Sequence, residues 1–184
     1  MAQDLTAAYQ NYQALPVLAG LSSREPFVPG TGPAGALMMI GEIPGLDESI
    51  HRVPFAGEAE ELLCRELEDA GLPVAYTFFT LAVKYRTPGG RDPYPFELEA
   101  SRPCLIAEIL AIRPVVIGAL GETVLQVLGI DPPYGAPRWY HDWSAPGVDW
   151  SCHVMALPSV RAALEDIHVQ MGLIEGLQMI GGAR

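Results

Sequence analysis

Short apolar runs alternate along the chain with amphipathic stretches. The sharpest run covers residues 37–40, Leu-Met-Met-Ile, and stops at Gly41, Glu42 and a Pro44-Gly45 turn. With no polar alternation, it predicts a strand buried on both faces, as in a parallel sheet. Residues 76–83, rich in aromatic, Thr and Val side chains, predict a second strand. Residues 114–120 and 151–157 predict a third and a fourth. Helical spacing predicts helices over 58–71 (apolar at Ala59, Leu62, Leu63 and Leu67, closed by Gly71), 96–112, 122–128 and 160–172. A short amphipathic helix is predicted over 4–15, with Leu5, Tyr9, Tyr12 and Leu15 on one face and Pro16 ending it.

The remaining stretches read as connections. Residues 20–35 are rich in Pro, Gly and Ser, 46–52 are polar, and 84–95 are broken by prolines and glycines. Residues 130–150 hold three tryptophans and no periodicity, which predicts a long surface loop, aromatic from Tyr134 to Trp150. No internal repeat or low-complexity tract is present.

Strands separated by helices predict an α/β fold. Right-handed crossovers then cover both faces, giving a three-layer α/β/α sandwich on a central four-stranded, mainly parallel sheet. One domain is expected over 1–184. In such sheets ligands bind beyond the carboxyl ends of the strands. Those ends deliver Glu42, Lys84, Gly121 and Pro158-Ser159 to one rim. The plainer reading of Glu42 is a solvated loop carboxylate.

Composition narrows the setting. Hydrophobic content of 49% against 18% charged residues fits a buried core and not a disordered chain. Cys64, Cys104 and Cys152 are dispersed without a CxxC pair, which suits reduced thiols in the cytoplasm and supplies no metal framework. No signal peptide or membrane span is expected, and the chain is read as a cytoplasmic monomer. A formal net charge of −11 gives little long-range attraction to phosphate. Any DNA contact therefore needs a local basic face. Lys84, Arg86 and Arg91 form the only basic concentration, and its plainer reading is a solvated loop.

Taken in order, the motifs resemble a known family. They are Val28-Pro-Gly-Thr-Gly-Pro33, Met39-Ile-Gly-Glu-Ile-Pro-Gly45, Pro54-Phe-Ala-Gly57, Ala82-Val-Lys-Tyr-Arg86 with Gly90-Arg-Asp-Pro93, and Arg113-Pro with Ala119-Leu-Gly121. Together they look like the uracil-DNA glycosylase superfamily, nearest to its family-four, iron–sulfur type. The departures carry as much information. Ile43 stands where the family's first motif has Ala. The N-terminal cysteine pair is missing, and the later two cluster positions hold Tyr85 and Ser101, with Cys104 nearby. No cluster, metal or other cofactor is therefore expected. Leu81 replaces the uracil-reading Asn, and Leu157 replaces the His of the second motif.

The resemblance implies an enzyme that flips a base out of the stack and hydrolyses its N-glycosidic bond. Glu42 would orient the water and stabilise a cationic sugar. Phe55 would stack on the base, or else pack in the core, and Ile43, Leu81 and Leu157 would complete an apolar base pocket. His51 is the best-placed replacement for the lost donor. His141 could fold over the pocket, His153 reads as a satisfied core histidine, and His168 has no role. Lys84, Arg86, Arg91, Gly121, Thr123, Ser159 and Arg161 would contact DNA. Without an Asn or His code, a uracil edge against Leu81 loses hydrogen bonds worth about 1–3 kcal/mol per group. A modified, non-uracil pyrimidine of the bulky phage type is then expected, in repair or defence. The alternative is a degenerate glycosylase that binds DNA or a protein partner without cleaving it.

Overall fold

The four expected strands and one more assemble into a single sheet, which, numbered along the chain, has the order β2-β1-β3-β5-β4. In chain order these are β1 (Leu37–Gly41), β2 (Thr77–Leu81), β3 (Val116–Leu120), β4 (Arg138–Trp143) and β5 (Cys152–Leu157). The computed structural model describes residues 2–133 and 137–183, with side chains from residue 5 onward. Tyr134, where the aromatic loop was expected to begin, lies outside the described residues.

Pairing is parallel between β1 and β2, β1 and β3, and β3 and β5. β4 runs antiparallel to β5 on the edge, with a bulge between Tyr140 and Trp143. The sheet therefore has five strands, not four, and the fifth comes from the stretch expected to be loop. Its six residues, Arg-Trp-Tyr-His-Asp-Trp, carry no apolar run because an edge strand with one open side needs none.

Alternation along each strand explains why the central runs are apolar throughout. On one face Met39, Leu120, Met155 and Leu157 meet Leu63, Leu67, Leu173 and Leu177. These belong to helices α4 (Glu58–Asp69) and α8 (Ile167–Gly182), joined on that side by α7 (Val160–Glu165). On the other face Met38, Ile40, Ile117 and Val154 meet Leu105, Ile109, Val124 and Val127. Those residues sit on α5 (Pro95–Ile112) and α6 (Glu122–Leu128). The α/β/α layering is thus as expected.

Two connections hold more order than their composition suggests. α2 (Ala19–Ser22) and α3 (Leu46–His51) are short helices within the Pro/Gly-rich and polar stretches. The final helix is two: Asp166 breaks it with extended backbone, and its carboxylate then caps α8 by accepting the His168 N–H at 2.7 Å. α8 continues to Gly182, past glycines that argue against a helix. One of them, Gly176, lets α8 sit close on the sheet, since a Cβ there would lie 2.2 Å from Leu157 Cδ2.

Helix α1 (Ala2–Gln13) packs on α5 through a third cluster of Tyr12, Leu18, Leu21, Tyr85 and Cys104. The Tyr12 and Tyr85 rings stack at 5.7 Å and 13°. The Tyr12 and Ser101 hydroxyls are hydrogen-bonded at 3.0 Å.

Candidate functional site

Parallel register brings the strand ends into line. Gly41 pairs with Leu81 and Leu120 with Leu157, so the residues after them crowd one rim. Two cavities open there, of about 500 and 800 Å3. Glu42, Asp92, Pro93, Thr123 and Ser159 line both. Glu42 is therefore part of the wall that the cavities share.

The Glu42 side chain is half-buried. Its Oε1 accepts the Thr123 N–H at 3.2 Å, an amide of the first turn of α6. Its own backbone oxygen accepts the Val83 N–H at 3.0 Å, which ties the turn after β1 to the one after β2. Gly121 makes room for the carboxylate. It has φ +102, and a Cβ there would stand 2.3 Å from Glu42 Cδ and 2.5 Å from Oε1. Only glycine meets both requirements. Of the neighbouring acids, Glu48 accepts the Gly45 N–H at 2.9 Å and so starts α3, while Asp47 lines the smaller cavity.

Ile43, Phe55 and Leu81 line the smaller cavity together. Phe55 is buried, meets Phe79 edge-on at 5.9 Å, and holds φ +55. A bulky residue in the left-handed region carries strain of about 1–3 kcal/mol, which persists where the surroundings demand that geometry. Leu157 lies apart from these three. It lines the larger cavity beneath α8.

The expected DNA contacts need correction. Lys84 is fully buried, and its Nζ donates to Thr80 Oγ1 and, at 2.7 Å, to Glu108 Oε2. Thr80 and Tyr9 also donate to Glu108, Tyr9 at 2.6 Å, so the cation balances a buried carboxylate and cannot reach a phosphate. Arg91 grips Glu97 with both terminal nitrogens, at 2.8 and 2.9 Å. Arg86 faces Glu25 at 3.8 Å. The Thr123 amide is taken by Glu42, and the Gly121 amide donates to Leu157 O at 3.0 Å. Ser159 and Arg161 do reach the smaller cavity. The Ser159 hydroxyl makes no cap bond to α7. Among the described residues Arg161 is the one Lys or Arg side chain lining either cavity, on a rim with Glu42, Asp47, Glu48, Glu58, Glu61 and Asp92.

The histidines are redistributed too. His51 is exposed at the end of α3, donates from Nδ1 to Asp47 O at 2.9 Å, and lines neither cavity. His141 sits on edge strand β4 with its ring stacked on Trp139 at 5.9 Å, away from both cavities. His153 is not a satisfied core histidine: its Nδ1 is buried with no hydrogen-bond partner among the described residues. His168 lines the larger cavity with Glu42, Gln126 and Ser159. Its position there is not readable from helical spacing over 160–172, which runs through the break at Asp166; the side chain itself is exposed at the cavity edge.

Where an iron–sulfur cluster would sit, the residues present do not fit one. The stacked Tyr12 and Tyr85 rings fill the space, with Cys104 as the one thiol in that cluster. Burial, with a smaller contribution from Glu108 and against the pull of Lys84, pushes the Cys104 thiol up to about 12. No group of three or more His, Cys, Asp or Glu among the described residues is arranged to hold a metal ion. No described helix is long and apolar enough to cross a membrane.

A family model described as the uracil DNA glycosylase superfamily matches residues 29–166. A type-4 uracil-DNA glycosylase of Archaeoglobus fulgidus is 39% identical over 103 residues, covering 55% of this chain and 52% of that protein. One from Saccharolobus solfataricus is 43% identical over 101 residues, 54% and 47% of the two chains. One from Pyrobaculum aerophilum is 39% identical over 111 residues, 58% and 57%. The chain thus spans about half the length of the curated relatives it matches.

Proposed function

Because the chain belongs to the uracil DNA glycosylase superfamily, we propose that it is a DNA glycosylase acting on a modified, non-uracil pyrimidine. The base would be of the bulky kind phage DNA carries, removed in repair or in defence, leaving an abasic site. The observation that carries this reading is the position of Glu42. Its carboxylate is held by the Thr123 amide on the wall between two cavities, in the one place where Gly121 leaves room.

The flipped base enters the smaller cavity against Phe55, between Ile43 and Leu81. Among the described residues no side-chain amide lines that cavity, so the pocket would select by shape. The larger cavity beyond Glu42 gives space for a substituent that uracil lacks. As the glycosidic bond stretches, positive charge grows on the sugar, and the Glu42 carboxylate opposes it and orients the attacking water. The Ser159 hydroxyl, on the wall that both cavities share, would meet negative charge on the departing base.

Water, not an amine, is the nucleophile. Lys84 is the chain's single lysine, and it is buried in its ion pair. A Schiff-base lyase step has no side-chain amine to use, which supports a monofunctional enzyme.

Strand nicking after alkali tests this on DNA carrying uracil, hydroxymethylated and glucosylated pyrimidines. Glu42→Gln keeps the shape and removes the charge. It should leave DNA binding intact and reduce excision by roughly 10²–10⁴-fold. Parental rates in that variant would refute the role of Glu42. The apolar Leu157, where the family has a His, favours the second reading, a degenerate chain that binds DNA or a protein partner without cleaving. Binding with no excision across the panel would establish it.

A further inference from the structure

Arg91, Tyr94 and Phe96 form a layered group next to the cavities. The Arg91 guanidinium carbon lies 3.7 Å from the centre of the Tyr94 ring. The Tyr94 and Phe96 rings stack at 5.6 Å and 30°. Both stay open to solvent, at 50% and 47% exposure. Asp92 and Pro93, immediately before Tyr94, line both cavities, so the group is continuous with the site.

Neither ring is there for the fold. Tyr94 is the N-cap of α5, where Ser, Thr, Asp or Asn would bond the helix amides, and its side chain makes no cap bond. The cap is made in the other direction, by Glu97 Oε2 accepting the Tyr94 N–H at 2.7 Å. The same carboxylate holds Arg91 in place over the ring. Arg91 therefore acts as a fixed support for an aromatic face. Single exposed apolar residues are commonplace, but a supported, stacked pair at a cavity mouth is not.

We propose that Tyr94 and Phe96 are a stacking platform for an unpaired nucleobase next to the flipped nucleotide, so that the preferred DNA is single-stranded or locally unpaired. The proposal rests on the glycosylase reading for its ligand class. Charge supports it. Among the described residues the smaller cavity's rim is lined by Glu42, Asp47, Glu48, Glu58, Glu61 and Asp92 against Arg161 alone, which opposes the dense phosphates of a duplex. Stacking engages any base through its π-face and needs little phosphate contact. A single strand also carries less charge per unit length than a duplex. An acidic protein with paired cations is thus better suited to hold DNA by its bases.

The test measures fluorescence anisotropy of a short labelled single strand and its duplex, both of ordinary bases, at several salt concentrations. Tyr94→Ser is chosen because serine is a favoured N-cap and preserves α5; Phe96→Ala is the second variant. Tyr76→Ser, an exposed tyrosine at the opposite end of β2, is the control. The parent should prefer the single strand, with a shallow salt dependence. Each platform variant should weaken single-strand binding by roughly fivefold or more, leaving the duplex and the control unchanged. Equal affinity in parent and both variants overturns the proposal, as it would if the face takes a protein partner. So does a parent that binds no DNA. Excision is not involved in this readout. Loss of single-strand binding in the variants of a chain that excises nothing leaves the platform standing and refutes only the glycosylase reading.

Discussion

Replacing Gly121 with alanine separates what that residue does for the fold from what it does for Glu42. The backbone there has φ +102, and an alanine held in that region is strained by about 1–3 kcal/mol. That strain appears as lost stability. The new Cβ also stands 2.3 Å from Glu42 Cδ. Carbon atoms settle at about 3.5–4.0 Å, so the carboxylate must retreat by more than 1 Å. It is the far end of a flexible side chain and moves easily, which keeps the clash from adding much to the instability. Its 3.2 Å bond from the Thr123 amide does not survive the move. A misplacement of 1 Å near the reacting atoms is worth about 10²-fold in rate.

Gly121→Ala should therefore fold with a urea midpoint lowered by the backbone strain. On the accepted substrate, kcat should fall about 10²-fold with KM nearly unchanged. Combined with Glu42→Gln, its effect on rate should shrink severalfold, because both changes act on one group. Single-turnover excision at saturating DNA measures all four forms, at a temperature where each is folded. Full additivity of the two losses would refute the argument that Gly121 works through Glu42. So would a folded Gly121→Ala protein with parental kcat.

Two further outcomes follow from the ion pairs. Lys84→Met leaves Glu108 buried without its cation and should destabilise the protein by roughly 3–5 kcal/mol in urea denaturation, with Lys84→Met/Glu108→Gln recovering much of the loss; a stable Lys84→Met protein that has lost DNA binding would return the lysine to the surface. Burial alone would raise the Glu97 carboxyl, but hydrogen bonds from Arg91 and the Tyr94 amide and the Arg91 charge outweigh it, leaving the group below its usual range. Its contribution is then present above the unfolded carboxylate range and lost as pH falls through the lowered folded value. The stability gap between parent and Glu97→Gln should close on acidification, and a gap independent of pH contradicts this.

What the sequence made legible follows from what each signal reports. Residues 37–40 announce β1 because a strand covered on both faces has no use for a polar side chain. The carboxyl-end rule then places Glu42 at the rim with no further information. Lys84 was misplaced for the opposite reason. A lysine after a strand reads as solvated unless its partner is known, and Glu108 lies 24 positions away on α5. Arg91 and Glu97 are closer, but a proline-broken connection does not reveal which arginine folds back on which acid. β4 was invisible because its open edge tolerates Arg138 and Asp142. The cavity wall at His168 depends on one capped break at Asp166 that helical spacing alone runs through.

The hydrogen bond from Tyr9 to Glu108 spans 99 positions, and its consequence is one of timing. During synthesis α1 emerges long before α5, which must carry Glu108, Ser101 and Cys104 into place before α1 has anything to dock on. Until then the Glu108 carboxylate, already paired with Lys84, lacks the hydrogen bond from the Tyr9 hydroxyl. The docking of α1 brings that donor in. Made before the α5 residues it packs on, α1 seats only after they are in place, and in seating it completes the hydrogen bonds of the Glu108 carboxylate.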